Sequence, residues 1–299
     1  MPASKFVTLN TGAKMPTLGL GTWQSQPGQV EKAVEVALKF GYRHIDTAAA
    51  YANEKEVGEG IRNSGVPREE IFLTTKLPNE KHRDPAGALQ ASLDALGTPY
   101  LDLWLMHWPT PSKSDGTPDR DWNWLKTWQI MEELYKAHPD KLKAIGVSNI
   151  SNDYFDELLK VATVTPAVNQ IELHPSCVQE ETVQYSREKG IVITAYSPLG
   201  STSSPLLSNE TVNKIAKAHG VSPANVLVSL QANRPGVTVL TKSVTPKRIE
   251  ENFTIIDLSD EEVKELHGIE GKHAFRACYP WWTGYGDIGF PDCKGKTPQ

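Results

Sequence analysis

Short apolar segments alternate with amphipathic helical segments along most of this chain, and the unit repeats eight times in succession. Each apolar segment has the length of a strand, and the stretch that follows it carries apolar residues at helical spacing. Such alternation is typical of βαβ units and therefore of a parallel sheet. The predicted strands are Gly19–Gly21, His44–Thr47, Ile71–Lys76, Leu101–His107, Ala144–Ser148, Ala167–Ile171, Val192–Ser197 and Val237–Thr241.

The segments between these strands have the pattern of helices that bury one face. In the first of them, Val30, Val34, Ala37 and Leu38 share a face. A pair of short strands around residues 6–9 and 15–18 precedes the first unit. The predicted helices are Val30–Phe40, Glu54–Asn63, Pro85–Leu96, Trp122–Ala137, Asn152–Val161, Gln179–Lys189, Glu210–His219 and Pro223–Asn233.

Eight repeats of this unit favour a closed (β/α)8 TIM barrel with an N-terminal β-hairpin over an open, doubly wound sheet. A doubly wound sheet that binds a dinucleotide normally has a glycine-rich turn after its first strand and an acidic residue roughly 20 positions later. Here Trp23 and Gln24 stand where the remaining glycine should be. No break in composition marks a boundary, so residues 1–299 are predicted to form one domain.

Net charge, apolar stretches and cysteine spacing exclude several function classes. The net charge of −5 and the absence of a long basic run argue against nucleic acid or an anionic membrane as a partner. No stretch approaches the roughly 18 apolar residues of a membrane span, and the N-terminus lacks a signal peptide. Three widely spaced cysteines without a CxxC pair disfavour disulfides and zinc. We expect a cytoplasmic protein without a metal, and a monomer because no heptad pattern or large apolar patch demands assembly.

Polar side chains stand at the carboxyl ends of nearly all predicted strands, whereas the strand starts carry little that could react. The carboxyl ends of barrel strands meet at one face, where the following loops build active sites. This asymmetry predicts an enzyme. The strand-end residues are Asp46, Lys76, His107, Ser148, Asn149, Gln170, Tyr196, Ser197, Lys242 and Ser243.

Four of the residues near these ends, Asp46, Tyr51, Lys76 and His107, fit the protonation of a carbonyl oxygen. A tyrosine, with a pKa of about 10, is a poor acid at neutral pH unless a nearby cation favours its phenolate. Lys76 can supply that charge, Asp46 its counter-ion, and His107 a hydrogen bond that orients the carbonyl. Taken alone, Asp46 and Lys76 would equally fit an ordinary buried ion pair. Reduction of the carbonyl further requires a hydride, which only a cofactor supplies.

Seven ordered motifs, spread from about Leu9 to Phe253, resemble those of the aldo-keto reductases. The likeness is to the fungal NADPH-dependent glyceraldehyde and glycerol reductases in particular. The motifs are Asp46-Thr47-Ala48-Ala49-Ala50-Tyr51, Thr74-Thr75-Lys76-Leu77-Pro78, His107-Trp108-Pro109, Gly146-Val147-Ser148-Asn149, Asn169-Gln170-Ile171-Glu172-Leu173-His174-Pro175, Ala195-Tyr196-Ser197-Pro198-Leu199-Gly200 and Thr241-Lys242-Ser243-Val244-Thr245.

The resemblance implies NADPH-dependent reduction of aldehydes or ketones, with small sugar-like aldehydes such as glyceraldehyde favoured. It implies that Tyr51 is the general acid, that Lys76 and Asp46 tune it, and that His107 orients the substrate. The implied substrate-binding residues are Trp23, Tyr51, His107 and Trp108. The implied cofactor-binding residues are Gly21, Thr22, Trp23, Asp46, Ser148, Asn149, Gln170, Tyr196, Ser197, Leu199, Ser201, Lys242, Ser243, Val244, Thr245, Arg248, Glu251 and Asn252.

Lys242 and Arg248 favour NADPH over NADH for a reason that is independent of the resemblance. They place two cations near the start of the short helix after Pro246, where the additional phosphate of NADPH would be well paired and NADH would offer only hydroxyls.

Two alternatives remain open: a polyol dehydrogenase that acts mainly in oxidation, and a regulatory subunit that senses NADPH. The loops 109–121 and 271–299 are expected over the active-site face. In the second loop, Trp281 and Trp282 fit a pocket wall or simple packing equally well.

Overall fold

The computed structural model describes residues 5–202 and 204–295, and within them eight parallel strands close into a barrel. Each strand pairs with its sequence neighbours, and the last pairs with the first. A two-stranded antiparallel sheet, β1 (Phe6–Thr8) and β2 (Lys14–Pro16), precedes them. The predicted barrel and hairpin are therefore confirmed. The barrel strands are β3 (Leu18–Gly21), β4 (His44–Asp46), β5 (Phe72–Leu77), β6 (Leu103–Met106), β7 (Ile145–Ser148), β8 (Val168–Glu172), β9 (Val192–Tyr196) and β10 (Val237–Thr241).

The eight predicted helices follow the strands, and their ends lie within two residues of the predicted ends. The one predicted start that is two residues too early belongs to the helix at Trp122. Asn123 has extended backbone and its side chain accepts a hydrogen bond from the Leu125 N–H, so the helix begins at Trp124. The helices are α1 (Val30–Phe40), α2 (Glu54–Ser64), α3 (Pro85–Leu96), α4 (Trp124–Ala137), α5 (Asn152–Val161), α6 (Glu180–Glu188), α7 (Glu210–His219), α8 (Pro223–Ala232), α9 (Pro246–Glu251), α10 (Asp260–His267) and α11 (Glu270–His273).

Successive side chains of each barrel strand point alternately outward to the helices and inward to the barrel interior, so the core has two layers. Strand β5 shows this pattern. Leu73 and Leu77 belong to the large apolar cluster between barrel and helices, whereas Phe72 belongs to the cluster at the base of the barrel. Met15 of the hairpin joins that lower cluster and is fully buried. Further along β5, the residue on the inner face is Lys76. The barrel interior is thus apolar at its base and polar at its carboxyl end, which is where a reaction can take place.

The interior of the barrel is narrow enough that one position requires glycine. A Cβ atom on Gly19 would lie 2.5 Å from the His44 ring and 2.8 Å from the Leu240 side chain. Only glycine therefore leaves room for both side chains. Of the helices in the described ranges, none is long and apolar enough to cross a membrane.

The segment after α11 runs across the carboxyl end of the barrel and contacts the loop between β6 and α4. The Tyr285 hydroxyl donates to the Pro111 carbonyl at 2.9 Å, and the Arg120 guanidinium donates to the Gly284 carbonyl at 2.7 Å. Arg276 forms a two-bond ion pair with Asp292. The two long loops therefore support each other.

Candidate active site

A cavity of about 870 Å³ opens at the carboxyl end of the barrel. Residues at the ends of all eight barrel strands, or in the loops that follow them, contribute to its wall, and the segment 277–283 forms one side. This is the location that the strand-end polar residues predicted.

At the floor of this cavity, Lys76 and Asp46 form a buried ion pair. The Lys76 Nζ donates to Asp46 Oδ1 at 2.5 Å and to the Thr47 carbonyl at 2.8 Å, and the exposed fractions of the two side chains are 0% and 3%. Gln170 donates its amide to Asp46 Oδ2 at 2.7 Å. Desolvation raises the pKa of Asp46 and lowers the pKa of Lys76, while the attraction between the two charges opposes both shifts.

Tyr51 lies beside this pair, in a short 3-10 turn after β4. Its ring centroid is 5.2 Å from the Lys76 Nζ and 5.7 Å from the centroid of the His107 ring. The turn ends at Ala52, which adopts a left-handed backbone conformation with φ of 54°. The structure therefore brings the four predicted residues together.

The pKa of Tyr51 is shifted in the direction opposite to the one expected. Desolvation, and next the charge of Asp46, raise the pKa of the Tyr51 phenol well above its ordinary value. The net shift is upward because burial, the largest cause, and the Asp46 carboxylate both disfavour the charged phenolate. At neutral pH the phenol in this environment keeps its proton.

His107 is neutral at physiological pH. Desolvation and, to a smaller extent, the positive charge of Lys76 lower the pKa of His107 to about 3. A neutral imidazole has one N–H donor and one acceptor nitrogen. His107 is thus suited to donating a hydrogen bond to a carbonyl oxygen rather than to carrying a charge.

On the opposite wall, Asn149 forms hydrogen bonds with residues at the ends of three barrel strands, β6, β7 and β9. Its amide Nδ2 donates to the His107 carbonyl and to Ser148 Oγ, each at 3.0 Å, and its Oδ1 accepts from the Tyr196 hydroxyl at 2.8 Å. The backbone of Asn149 is left-handed, with φ of 60°, a conformation that asparagine tolerates better than most residues. Together with Gln170, these residues form a polar wall next to Asp46 and Tyr51.

Two exposed cations, Lys242 and Arg248, line the other end of the cavity. Among the residues that the structure describes, neither has a carboxylate within 4.0 Å. Ser197 and Ser201, both with left-handed backbone, line the wall as well. Cations without an acidic partner, on the wall of a cavity, are suited to bind an anionic group.

Most of the residues implied by the resemblance line the cavity, but some do not. Lys76 lies beneath its floor. Ser243 bonds the Thr245 N–H through its hydroxyl, and Asn252 is buried at the end of α9. The implied residues outside the lining are Lys76, Ser243, Val244, Thr245, Glu251 and Asn252.

The sequence analysis missed several lining residues. Asn79 and Glu80 directly follow β5, so the rule that found the other strand-end residues could have found them. Trp282, for which the sequence left a pocket wall and simple packing open, does line the cavity and packs edge to face against Trp108 at a centroid distance of 5.5 Å. The missed residues are Gln24, Ala50, Asn79, Glu80, Ser112, Gly116, Pro198, Thr202, Leu240, Thr241, Ala277, Cys278, Tyr279 and Thr283.

Comparisons with known proteins agree with this geometry. A family model described as the aldo/keto reductase family matches residues 17–270. The aldehyde reductase YPR1 of Saccharomyces cerevisiae is 47% identical over 291 residues, which is 91% of this chain and 92% of the relative. The glycerol 2-dehydrogenase (NADP(+)) of the same yeast is 46% identical over 302 residues, 94% and 96% of the two chains. The solved Bombyx mori aldo-keto reductase (AKR2E4) in complex with NADP superimposes with a TM-score of 0.88 and 34% identity, covering 97% of this chain and all of that one.

Proposed function

This chain belongs to the aldo/keto reductase family, and we propose that it reduces small hydroxylated aldehydes, such as glyceraldehyde, with Tyr51 as the proton donor. It is an NADP-dependent oxidoreductase that acts on aldehydes and ketones. The observation that carries the proposal is the arrangement of Tyr51, His107 and the Lys76–Asp46 pair at one end of a cavity, with Lys242 and Arg248 on its wall.

The cavity wall fits NADPH. Lys242 and Arg248 would pair with the additional phosphate, and Ser197, Leu199 and Ser201 would line the pyrophosphate. When bound, NADPH supplies the hydride that a carbonyl carbon takes up.

Tyr51 holds the proton that the carbonyl oxygen requires. Of the three Lys76 ammonium hydrogens, two are bonded to Asp46 and Thr47, and the third has no partner among the residues described. That hydrogen can stabilise the Tyr51 phenolate once the proton has left. The raised pKa of Tyr51 favours its protonated form at neutral pH, which is the form that reduction of a carbonyl requires.

His107 would orient the carbonyl. Because its imidazole is neutral, it donates a hydrogen bond to the oxygen without competing with Tyr51 for the proton. Its ring also packs against the Tyr51 ring, which limits where the carbonyl oxygen can lie.

The substrate end of the cavity supports a small hydroxylated molecule. Trp23, Trp108 and Trp282 give it aromatic sides, while Asn79 and Ser112 place polar groups on the same wall. Ligand sites commonly combine apolar walls with a few polar groups that fix orientation. Hydroxyl groups next to the carbonyl would find partners there.

A comparison of glyceraldehyde with propanal tests the substrate class, because the two differ only by two hydroxyls. We expect kcat/KM with NADPH to be at least about tenfold higher for glyceraldehyde, the value of one or two hydrogen bonds. Rates are compared at equal concentrations of the free carbonyl form. Equal or higher kcat/KM for propanal would reject the substrate class. No NADPH oxidation with any aldehyde, ketone or uronate would instead favour the NADPH-sensing alternative.

The cations on the cavity wall should determine the choice of cofactor. In a variant with both Lys242→Ala and Arg248→Ala, we expect the KM for NADPH to rise on the order of 100-fold, since bonds to charged groups contribute about 1.5–3 kcal/mol each. The KM for NADH should change little. Lys247→Ala is the matched control, because Lys247 lies on the same helix but pairs with Glu251 at 3.7 Å. Equal changes for both cofactors would contradict this assignment.

We further propose that residues 1–299 act as one domain, with the tail from residue 271 to residue 295 over the active-site face; residues 296–299 of the expected loop lie outside the described residues. A monomer is supported by the small number of large apolar side chains that are exposed in the described ranges. The free thiols of Cys177 and Cys278 support a reducing compartment, the cytoplasm. The net charge of −5 supports a small molecule, not nucleic acid, as the ligand.

A further inference from the structure

A buried carboxylate connects the barrel rim to the tail that forms one side of the cavity. Glu172 is the last residue of β8, and its side chain is completely buried. Its Oε1 accepts the Ala277 N–H at 2.6 Å, and its Oε2 accepts the Cys278 N–H at 2.7 Å. Ala277 and Cys278 both line the cavity. One side chain thus fixes the backbone of two wall residues more than 100 positions away.

His174 completes the surroundings of this carboxylate. Its Nε2 lies 2.8 Å from Glu172 Oε1, and its Nδ1 accepts the Ser176 N–H at 3.2 Å. Because Nδ1 accepts, Nε2 carries the hydrogen and donates to Glu172. Both oxygens of Glu172 therefore accept hydrogen bonds, and the His174 ring stacks on Phe275, with a centroid distance of 4.7 Å.

Other contacts also hold the tail, and they involve the two residues that directly precede Ala277. The Phe275 N–H donates to the Ser176 carbonyl at 3.0 Å, and Arg276 binds Asp292 through two hydrogen bonds. In the described part of the chain, the acceptor for the N–H groups of Ala277 and Cys278 is Glu172. These two bonds therefore tie the backbone of Ala277 and Cys278 to the end of β8.

We propose that Glu172 is a positioning residue that fixes the wall formed by residues 277–283 against the substrate. It touches neither the reacting atoms nor the cofactor-binding cations. The inference rests on the proposed function in one respect, namely that this wall faces the carbonyl compound. Bonds from backbone N–H groups to a carboxylate are stronger than bonds between neutral groups. A displacement of about 1 Å at a substrate-positioning wall can reduce the rate about 100-fold.

Glu172→Gln tests this role without changing the size of the side chain. The amide nitrogen replaces one acceptor oxygen by a donor, which then faces a backbone N–H, so one of the two anchoring bonds is lost. Glu172→Asp keeps the charge and shortens the side chain, and it should retain part of the anchoring.

Glu132 on α4 offers a matched control. It is also buried, and its Oε1 accepts two consecutive backbone N–H groups, those of Thr163 and Val164, each at 2.7 Å, while its Oε2 accepts the Thr163 hydroxyl at 2.9 Å. It does not line the cavity. Glu132→Gln therefore removes the charge of a buried carboxylate remote from the substrate, while the remaining carbonyl oxygen can still accept both backbone bonds.

The experiment compares these variants by steady-state kinetics, NADPH binding, thermal unfolding and hydrogen–deuterium exchange. In Glu172→Gln we expect the KM for glyceraldehyde to rise by about tenfold or more, with NADPH affinity within about twofold, because the lost bond positions substrate rather than cofactor. The amides of residues 277 and 278 should exchange faster. Glu132→Gln should show neither change, and Glu172→Asp should be intermediate.

Equal KM changes in the two glutamine variants would overturn the proposal, as would unchanged exchange at residues 277 and 278 in Glu172→Gln. If Glu172→Gln does not fold, Glu172→Asp decides by the same two measurements. A wild-type enzyme that reduces no aldehyde would reject the proposed function, and the exchange experiment would still test the anchor.

Discussion

A Tyr51→Phe variant is expected to bind NADPH with unchanged affinity and to lose turnover by roughly 10²–10⁴-fold, the range that general acid catalysis contributes. The substitution removes the hydroxyl and keeps the ring that packs against His107. The residues proposed to bind the cofactor, Lys242 and Arg248 among them, are unchanged, so cofactor binding should be preserved. The measurements are kcat/KM for glyceraldehyde and the Kd for NADPH from fluorescence quenching.

Tyr185→Phe is the control for this substitution. The Tyr185 hydroxyl donates to Asp156 at 2.6 Å on the outer surface of the barrel, so its removal eliminates a phenol without affecting the cavity. Turnover of this control should equal that of the wild type. If Tyr51→Phe retained a turnover close to that of Tyr185→Phe, the proton would come from another group.

Lys76→Met is expected to reduce both activity and stability. The substitution keeps the length of the side chain but leaves the Asp46 carboxylate buried without its cation, and breaking a buried pair in this way costs about 3–5 kcal/mol of unfolding free energy. The loss should grow as the pH rises. Burial raises the pKa of Asp46 in the folded protein, so the unfolded chain ionises Asp46 at lower pH and a higher pH favours unfolding. Denaturant unfolding at several pH values measures this effect.

Adding Asp46→Asn to Lys76→Met separates stability from catalysis. A neutral pair leaves no unpaired buried charge, so the double variant should regain most of the lost stability. It should remain inactive, because the ammonium group that stabilises the Tyr51 phenolate is still absent. Recovery of activity together with stability would show that the pair is only structural, the alternative that the sequence left open.

The barrel could be predicted because its signal is repeated. Each strand is a short apolar segment that is followed by a helical segment. When eight parallel strands close into a barrel, their carboxyl ends lie at the same face, independently of the loop conformations. Asp46, Lys76 and His107 therefore had to meet at one face. The direction of the Tyr51 pKa shift could not be predicted, because it depends first on how deeply the tertiary structure buries the phenol and then on how close the Asp46 carboxylate lies.

Glu172 was missed because the predicted strand ended one residue too early. The predicted strand ended at Ile171, whereas β8 continues to Glu172, which pairs with Tyr196 of β9. Had the strand been extended by one residue, Glu172 would have been counted among the strand-end side chains. The tail that Glu172 holds has no periodic pattern, so the sequence could predict that the tail lies over the active-site face but could not place Ala277 or Cys278 at the cavity.

A single-turnover experiment tests the central claim most directly, namely that Tyr51 supplies the proton. Enzyme in excess is mixed with NADPH and then with glyceraldehyde, and NADPH oxidation is followed by absorbance, so that product release does not affect the rate. Wild type and Tyr185→Phe should complete a turnover, while Tyr51→Phe should hold its NADPH unoxidised over the same period. Oxidation by Tyr51→Phe at the rate of the control would contradict the account.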